Sequence, residues 1–355
     1  MSSLLVTGGA GFIGSNFVRH VLSDSANRVI NLDLLTYAGN RESLLGLPEG
    51  RHVFVHGDIC DGALVRRLLA EHKPDAIVHF AAESHVDRSI DDPGAFIRTN
   101  VTGTQVMLDS ALDYWRETGN DNFRFVHVST DEVYGTLGAD EPAFDEQHRY
   151  APNSPYAASK AAADHLARAW HRTYGLPVMI TNCSNNYGPN QFPEKLIPLI
   201  MINALHGERL PVYGDGQQRR DWLFVSDHCR AIERVLQAGQ PGRVYNIGGN
   251  AEMANIDVVH MLCDLLDERQ PCKRPRRQLI EYVADRPGHD RRYAVNASRI
   301  RDELGWTPSV DFAEGLARTV DWYLANRDWW QRIRDGSYRS ERLGMAKASA
   351  SATNS

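Results

Sequence analysis

Leu4-Leu5-Val6 is a short apolar run, followed at once by Thr7-Gly8-Gly9-Ala10-Gly11-Phe12-Ile13-Gly14 and then by apolar residues at helical spacing as far as Leu22. Strand, glycine turn and helix in that order leave few folds open. Gly8 permits a tight turn, Gly11 lets the backbone approach a pyrophosphate, and Gly14 allows the helix to pack closely on the strand. The helix N-terminus adds N–H groups and the positive end of its dipole. A second strand-like run, 28–32, ends in Asp33, where a carboxylate would hydrogen-bond an adenosine ribose and repel a 2′-phosphate. The pattern predicts a dinucleotide site that takes NAD in preference to NADP.

Further strand-like runs at 53–56, 76–80, 124–128 and 178–181 alternate with helical segments at 61–72, 93–115 and 155–174. Such alternation implies βαβ crossovers, so the expected fold class is α/β with a Rossmann-type doubly wound parallel sheet over residues 1–182. Asp58-Ile59 and Ala81-Ala82-Glu83-Ser84-His85 follow the third and fourth strands, the edge at which open α/β sheets bind ligands. The first is placed beside the adenine and the second beside the middle of the cofactor. His85 has no orienting partner in the sequence and reads as a loop histidine. From 183 to 335, Gly- and Pro-rich connections such as Gly188-Pro189 and Gly214-Asp215-Gly216 predict a smaller α/β substrate-binding lobe. Runs at 222–225 and 243–247 are candidates to return to the main sheet. Residues 336–355 are small and polar, the composition of a flexible tail.

A formal net charge of −6 gives no global attraction to nucleic acid or anionic membrane, so any phosphate must be held by locally grouped cations. No run is apolar enough to span a bilayer and no leader pattern precedes the first strand, which makes the cytoplasm the expected location. Five scattered cysteines without a Cys-x-x-Cys pair, and 14 histidines without a His-Glu-x-x-His motif, point to reduced thiols and to no metal site.

Two elements carry chemistry. Ser129-Thr130-Asp131-Glu132-Val133-Tyr134-Gly135 closes the fifth strand with adjacent carboxyl groups where a nicotinamide would lie. Hydride transfer does not need such a pair; removal of water from an oxidised substrate does. Pro152-Asn153-Ser154-Pro155 then opens a helix on which Tyr156 and Lys160, four apart, share a face. An ammonium there would lower the tyrosine pKa, fitting the phenol to take a proton from an alcohol, and would also reach the nicotinamide ribose.

These residues resemble the extended short-chain dehydrogenase/reductases and, among them, the dTDP-glucose 4,6-dehydratases, from Leu4 to about Trp306. Thr130-Asp131-Glu132 matches the dehydratases, as do Thr181-Asn182-Cys183-Ser184-Asn185-Asn186-Tyr187-Gly188-Pro189, Phe192-Pro193-Glu194-Lys195-Leu196, Arg219-Arg220-Asp221-Trp222 and Asp285-Arg286-Pro287-Gly288-His289-Asp290. The resemblance implies oxidation at C4 of a dTDP-linked glucose, with Tyr156 taking the hydroxyl proton and Thr130 assisting. Glu132 then removes the C5 proton and a protonated Asp131 assists departure of the C6 hydroxyl. Hydride returns to C6, giving a 4-keto-6-deoxy sugar without net redox change.

It further implies NAD contacts from Gly8, Gly11, Phe12, Ile13, Gly14, Asp33, Leu34, Thr36, Asp58, Ile59, Ala81, Ala82, Ser84, Thr99, Tyr156, Lys160 and Asn186. Implied substrate contacts are Ser84, Thr130, Asn185, Lys195, Leu196, Pro211, Val212, Tyr213, Arg220, Asn255, Asp285, Arg286 and His289, with Arg220 and Arg286 opposite the diphosphate. A homodimer through the helix after Pro93 and the helix carrying Tyr156 is implied as well. A 4-epimerase or decarboxylase on the same scaffold, and a non-catalytic NAD sensor, stay open as alternatives. The segment 137–150 reads either as a lid or as a surface loop.

Overall fold

The computed structural model describes residues 2–24, 26–285 and 287–336. The glycine turn leads from β1 (Ser3–Thr7) into α1 (Phe12–Ser23), and β2 (Arg28–Asp33) and β3 (His52–His56) follow. α2 (Gly62–His72) connects to β4 (Ala76–His79). Beyond β4, α3 (Val86–Asp91) and α4 (Pro93–Phe96) run through a π-helical segment, Ile97–Gly103, into α5 (Thr104–Thr118). Wider turns of this kind occur often at functional sites; here the segment holds Thr99 and Asn100. β5 (Arg124–Thr130), α6 (Pro155–Tyr174) and β6 (Val178–Cys183) complete the first half.

α6 starts and stops for identifiable reasons. Ser154 Oγ accepts from Ala157 N at 3.1 Å, Pro155 occupies the first turn where its missing N–H costs nothing, and Gly175 closes the C-terminus at φ 78°.

In the second half come β7 (Asn185–Tyr187), α7 (Leu196–His206), β8 (Leu210–Tyr213), β9 (Arg219–Phe224) and α8 (Val225–Ala238). They are followed by β10 (Val244–Ile247), β11 (Glu252–Ala254), α9 (Asn255–Arg269) and β12 (Ile280–Val283). The main sheet is parallel throughout in the order β10-β6-β5-β4-β1-β2-β3. Strand order reverses between β1 and β4, and a crevice opens at that switch point beyond the strand C-termini. Of the two runs considered for return to this sheet, 243–247 supplies its edge strand. The 222–225 run instead contributes to β9, which pairs with β7 and β11 in a separate three-stranded sheet. β8 and β12 form a parallel pair.

Both faces of the main sheet are covered, so its strands are apolar on both sides. Phe17, Val18 and Val21 of α1 meet Ala231, Ile232 and Val235 of α8 on one face. Val65 and Leu68 of α2, Met107 and Ala111 of α5, and Ala167 of α6 pack on the other. Each large aliphatic or aromatic side chain buried there contributes about 1.5–3 kcal/mol. A third core, including Met201, Leu262, Leu316 and Trp330, lies under the second half.

Segment 137–150 is anchored rather than free. Leu137 N donates to Arg292 O at 3.0 Å, Phe144 N donates to Ala294 O at 2.9 Å, and Phe144 bridges Val295. Phe144 is 1% exposed, and Asn246 N donates to Glu146 Oε1 at 3.0 Å. The expected tail falls almost wholly, at 337–355, outside the described residues. Among the described residues no helix is long and apolar enough to cross a membrane.

Candidate active site

A cavity of about 490 Å³ runs along the C-terminal edge of the sheet from the glycine turn into the second half. Each residue expected to touch the cofactor lines it, from Gly8 to Asn186. Its floor tolerates only backbone. A Cβ on Gly8, which has φ 72°, would stand 2.6 Å from Ala81 N, and one on Gly14 would stand 2.2 Å from Gly8 O. Gly11 caps α1 without a side chain, leaving the helix N-terminus open to an anion. Asp33 is held by two backbone amides, Ala10 N on Oδ2 and Leu35 N on Oδ1, each at 2.8 Å. Burial pushes its pKa up and those amides pull it down. A backbone cradle, an open helix end and a fixed carboxylate at the tip of β2 together suit a dinucleotide.

The reactive groups gather where β5 ends. Thr130 Oγ1 caps the 3₁₀ turn Asp131–Tyr134 by accepting from Glu132 N at 3.3 Å, and it donates to Asp131 Oδ1 at 3.4 Å. Gly135 closes that turn at φ 90°, and a Cβ there would stand 2.4 Å from Ala151 O. Asp131 is 2% exposed. Burial drives its pKa well above the carboxylate range, Glu132 and Asp221 add to the rise, and Arg220 opposes it. The proton on Asp131 is therefore favoured by its surroundings.

Tyr156 and Lys160 line the same cavity, with one correction to expectation. The phenol is not pulled down by the ammonium; burial first, then Glu132 and Cys183, push it well above its ordinary value. Lys160 Nζ donates to Val128 O at 2.8 Å, which ties one of its three N–H groups to the end of β5.

On the substrate side, Arg220 Nη2 donates to Asp290 O at 2.9 Å, and its guanidinium lies 4.3 Å over the Tyr293 ring. Lys195 Nζ donates to Ser84 O at 3.0 Å, which joins the two halves across the cleft. Pro211 and Tyr213 face the cavity, but Val212 does not: alternation along β8 turns it into the core, where it is 2% exposed. Asp285 also stands off the wall. Its Oδ1 lies 2.6 Å from Nδ1 of His289, which does line the cavity, and its Oδ2 accepts from Gln218 Nε2 at 2.9 Å. Asp285 thus orients rather than lines. Arg286 lies outside the described residues.

Glu194 was missed. Its side chain is 1% exposed and lines the cavity. Oε1 accepts from Tyr37 OH at 3.0 Å and Oε2 from Arg88 Nε at 3.3 Å, while His85 Nε2 lies 3.8 Å from Oε2. His85 lies in the loop just ahead of α3, as its sequence suggests, but there it has an acidic neighbour and is on the cavity wall. The one available signal was the position of Glu194 between Pro193 and Lys195 in a matched run. Among the described residues no cluster is fitted to hold a metal ion.

The family model described as GDP-mannose 4,6 dehydratase matches residues 5–319. The chain is 63% identical over 351 residues to the dTDP-glucose 4,6-dehydratase of Xanthomonas campestris pv. campestris strain B100, covering 97% of this chain and 99% of that one. To dTDP-glucose 4,6-dehydratase 1 of Escherichia coli K12 it is 56% identical over 349 residues, covering 95% and 97%. Among solved structures, the Streptomyces venezuelae dTDP-glucose 4,6-dehydratase DesIV with NAD and TYD bound superposes with a TM-score of 0.87 at 52% identity, covering 93% of this chain and 99% of that one. The NAD complex of Thermus thermophilus UDP-glucose 4-epimerase has a TM-score of 0.81 at 30% identity, covering 91% and 99%.

Proposed function

The chain belongs to the family described as GDP-mannose 4,6 dehydratase, and from that premise we infer that it converts dTDP-glucose to dTDP-4-keto-6-deoxyglucose and water with NAD as its cofactor. When bound, NAD supplies the oxidant for C4 and the reductant for C6, so the reaction has no net redox change.

The rest falls to side chains. Tyr156 takes the proton of the C4 hydroxyl, with Thr130 hydrogen-bonding the same oxygen. The 4-ketone acidifies C5–H, and Glu132 accepts that proton. Asp131 gives its proton to the C6 hydroxyl, which leaves as water, and C5 is reprotonated in the last step. Arg220 faces the diphosphate, and Asn185, Leu196, Tyr213, Asn255 and His289 surround the nucleoside.

The observation that carries this reading is the buried Asp131 beside Glu132, one acid favouring its proton while its neighbour lies in the same cavity as Tyr156. Incubation with dTDP-glucose followed by mass spectrometry tests it. A product lighter by one water is expected; an unchanged mass, as a 4-epimerase would give, refutes it.

Beyond the reaction, we propose a division into lobes at 1–182 and 183–335, with β10 returned to the first. We propose a homodimer through the helical stretch that runs from Pro93 into α5 and through α6, supported by exposed Ile97 at the start of the π-helical segment and exposed Tyr174 at the end of α6. A cytoplasmic location is proposed too, supported by five cysteines that are all unpaired.

A further inference from the structure

Away from the cavity wall, behind Lys160, lies a buried group of titratable side chains centred on Asp164. Asp164 is 2% exposed and follows Lys160 by four residues on α6. That spacing puts both on one helix face with Cβ atoms about 5–6 Å apart. Asp164 Oδ2 accepts from Tyr150 OH at 3.0 Å, and the same hydroxyl accepts from Asn182 Nδ2 at 3.1 Å. On β5, His127 Nε2 lies 3.1 Å from Asp164 Oδ1. The carboxylate is thus held by the loop through Tyr150, whose hydroxyl is tied to β6 by Asn182, with His127 of β5 beside it.

A buried ammonium loses its proton unless an opposite charge is near. Lys160 is 4% exposed and donates only to a neutral carbonyl. Its other titratable neighbours supply less, Cys183 being the second influence that raises Lys160. His127 on β5 and His79 on β4 are held neutral by burial. Burial pushes the Cys183 thiol on β6 up to about 12, and the phenols of Tyr134, Tyr150 and Tyr156 rise for the same reason. Burial presses the Lys160 pKa down, and Asp164 is the largest influence holding it up.

We propose that Asp164 is a positioning residue for the reaction: its carboxylate, anchored by Tyr150, is the counter-charge that keeps Lys160 ionised one turn from Tyr156. Without it, Lys160 gives up its proton at lower pH, and the positive charge beside Tyr156 that favours proton transfer from the C4 hydroxyl to the phenolic oxygen is lost. The proposal rests on the reading of Tyr156 as the base in the dehydration.

The test uses full-length enzyme loaded with NAD. Asp164→Asn keeps the shape and removes the charge; Tyr150→Phe removes only the anchoring hydroxyl. NADH appearance on rapid mixing with dTDP-glucose is followed across pH, with NAD content and circular dichroism as controls. Asp164→Asn is expected to lower that rate about tenfold at neutral pH with KM little changed. Its alkaline limb should move down by about one pH unit. Tyr150→Phe should move the same limb the same way by less, and it carries the test if Asp164→Asn does not fold. Profiles that overlay the parent's, or effects confined to thermal stability or KM, overturn the role of Asp164. A parent enzyme giving neither NADH signal nor dehydrated product overturns the proposed function and this role together; a dehydrating parent with unmoved variants sinks the role alone.

Discussion

Gly14→Ala separates the cofactor cradle from the rest of the fold. The added carbon would stand 2.2 Å from Gly8 O and 2.8 Å from Gly9 Cα, both backbone atoms, against 3.4 Å for ordinary contact. The turn or α1 must therefore yield by roughly 1.2 Å. Overpacking of this kind costs about 1–3 kcal/mol, while alanine in a helix gains about 0.5–1 kcal/mol over glycine. The net loss of stability is about 0–2.5 kcal/mol, a fall in Tm of a few degrees at most. Binding suffers more, because the displaced atoms are those against which a pyrophosphate would lie. A misplacement of this size should lower NAD affinity at least tenfold, about 1.4 kcal/mol. The assay pairs NAD content after gel filtration with thermal denaturation at increasing added NAD. A large loss of NAD with a small change in apo Tm is expected. Parental NAD content and affinity would refute the assignment of this turn to the cofactor.

Other perturbations act on separate parts. Glu132→Gln should still reduce bound NAD on mixing with dTDP-glucose yet stall before water is lost, so absorbance of NADH persists while product formation falls at least 100-fold; normal turnover would exclude its role as the C5 base. Asp131→Asn should lose activity and gain stability. Because the folded-state pKa of Asp131 is raised, its stabilising contribution is complete below the unfolded value near pH 4 and is lost as pH rises through the folded value. The Asn variant's advantage in denaturant melts should thus be absent near pH 4 and grow toward neutrality; an advantage independent of pH would contradict the buried-acid account. Phe144→Ala removes a ring 1% exposed that pins segment 137–150, costing about 3–5 kcal/mol. Limited proteolysis should then cut within 137–150 first, and cleavage elsewhere would show that Phe144 is not its anchor.

Local order was the most legible part of the chain. The glycine turn, Asp33 and the Ser154-Pro155 helix start act over a few residues, so their spacing alone implies their geometry. Pairing between distant segments was less so. The runs at 222–225 and 243–247 look alike in sequence, yet only the second finds a partner in the main sheet, opposite 180–183 of β6. Val212 shows the same limit at one residue, since which face of β8 looks into the cleft depends on its pairing with β12. Glu194 and His85 became meaningful only when Tyr37 and Arg88 arrived from elsewhere in the chain. Tyr156 and Lys160 were correctly placed on one face, but their electrostatics follow from burial and from the Val128 carbonyl, which helical spacing does not reveal.

The most direct measurement uses dTDP-glucose carrying deuterium at C4. If the hydrogen removed from C4 is kept on the enzyme and returned to C6, the product is lighter by one water and retains the label on its C6 methyl group. An unchanged sugar mass, or a dehydrated product whose deuterium is found in solvent, would contradict the oxidation, elimination and return on which the function rests.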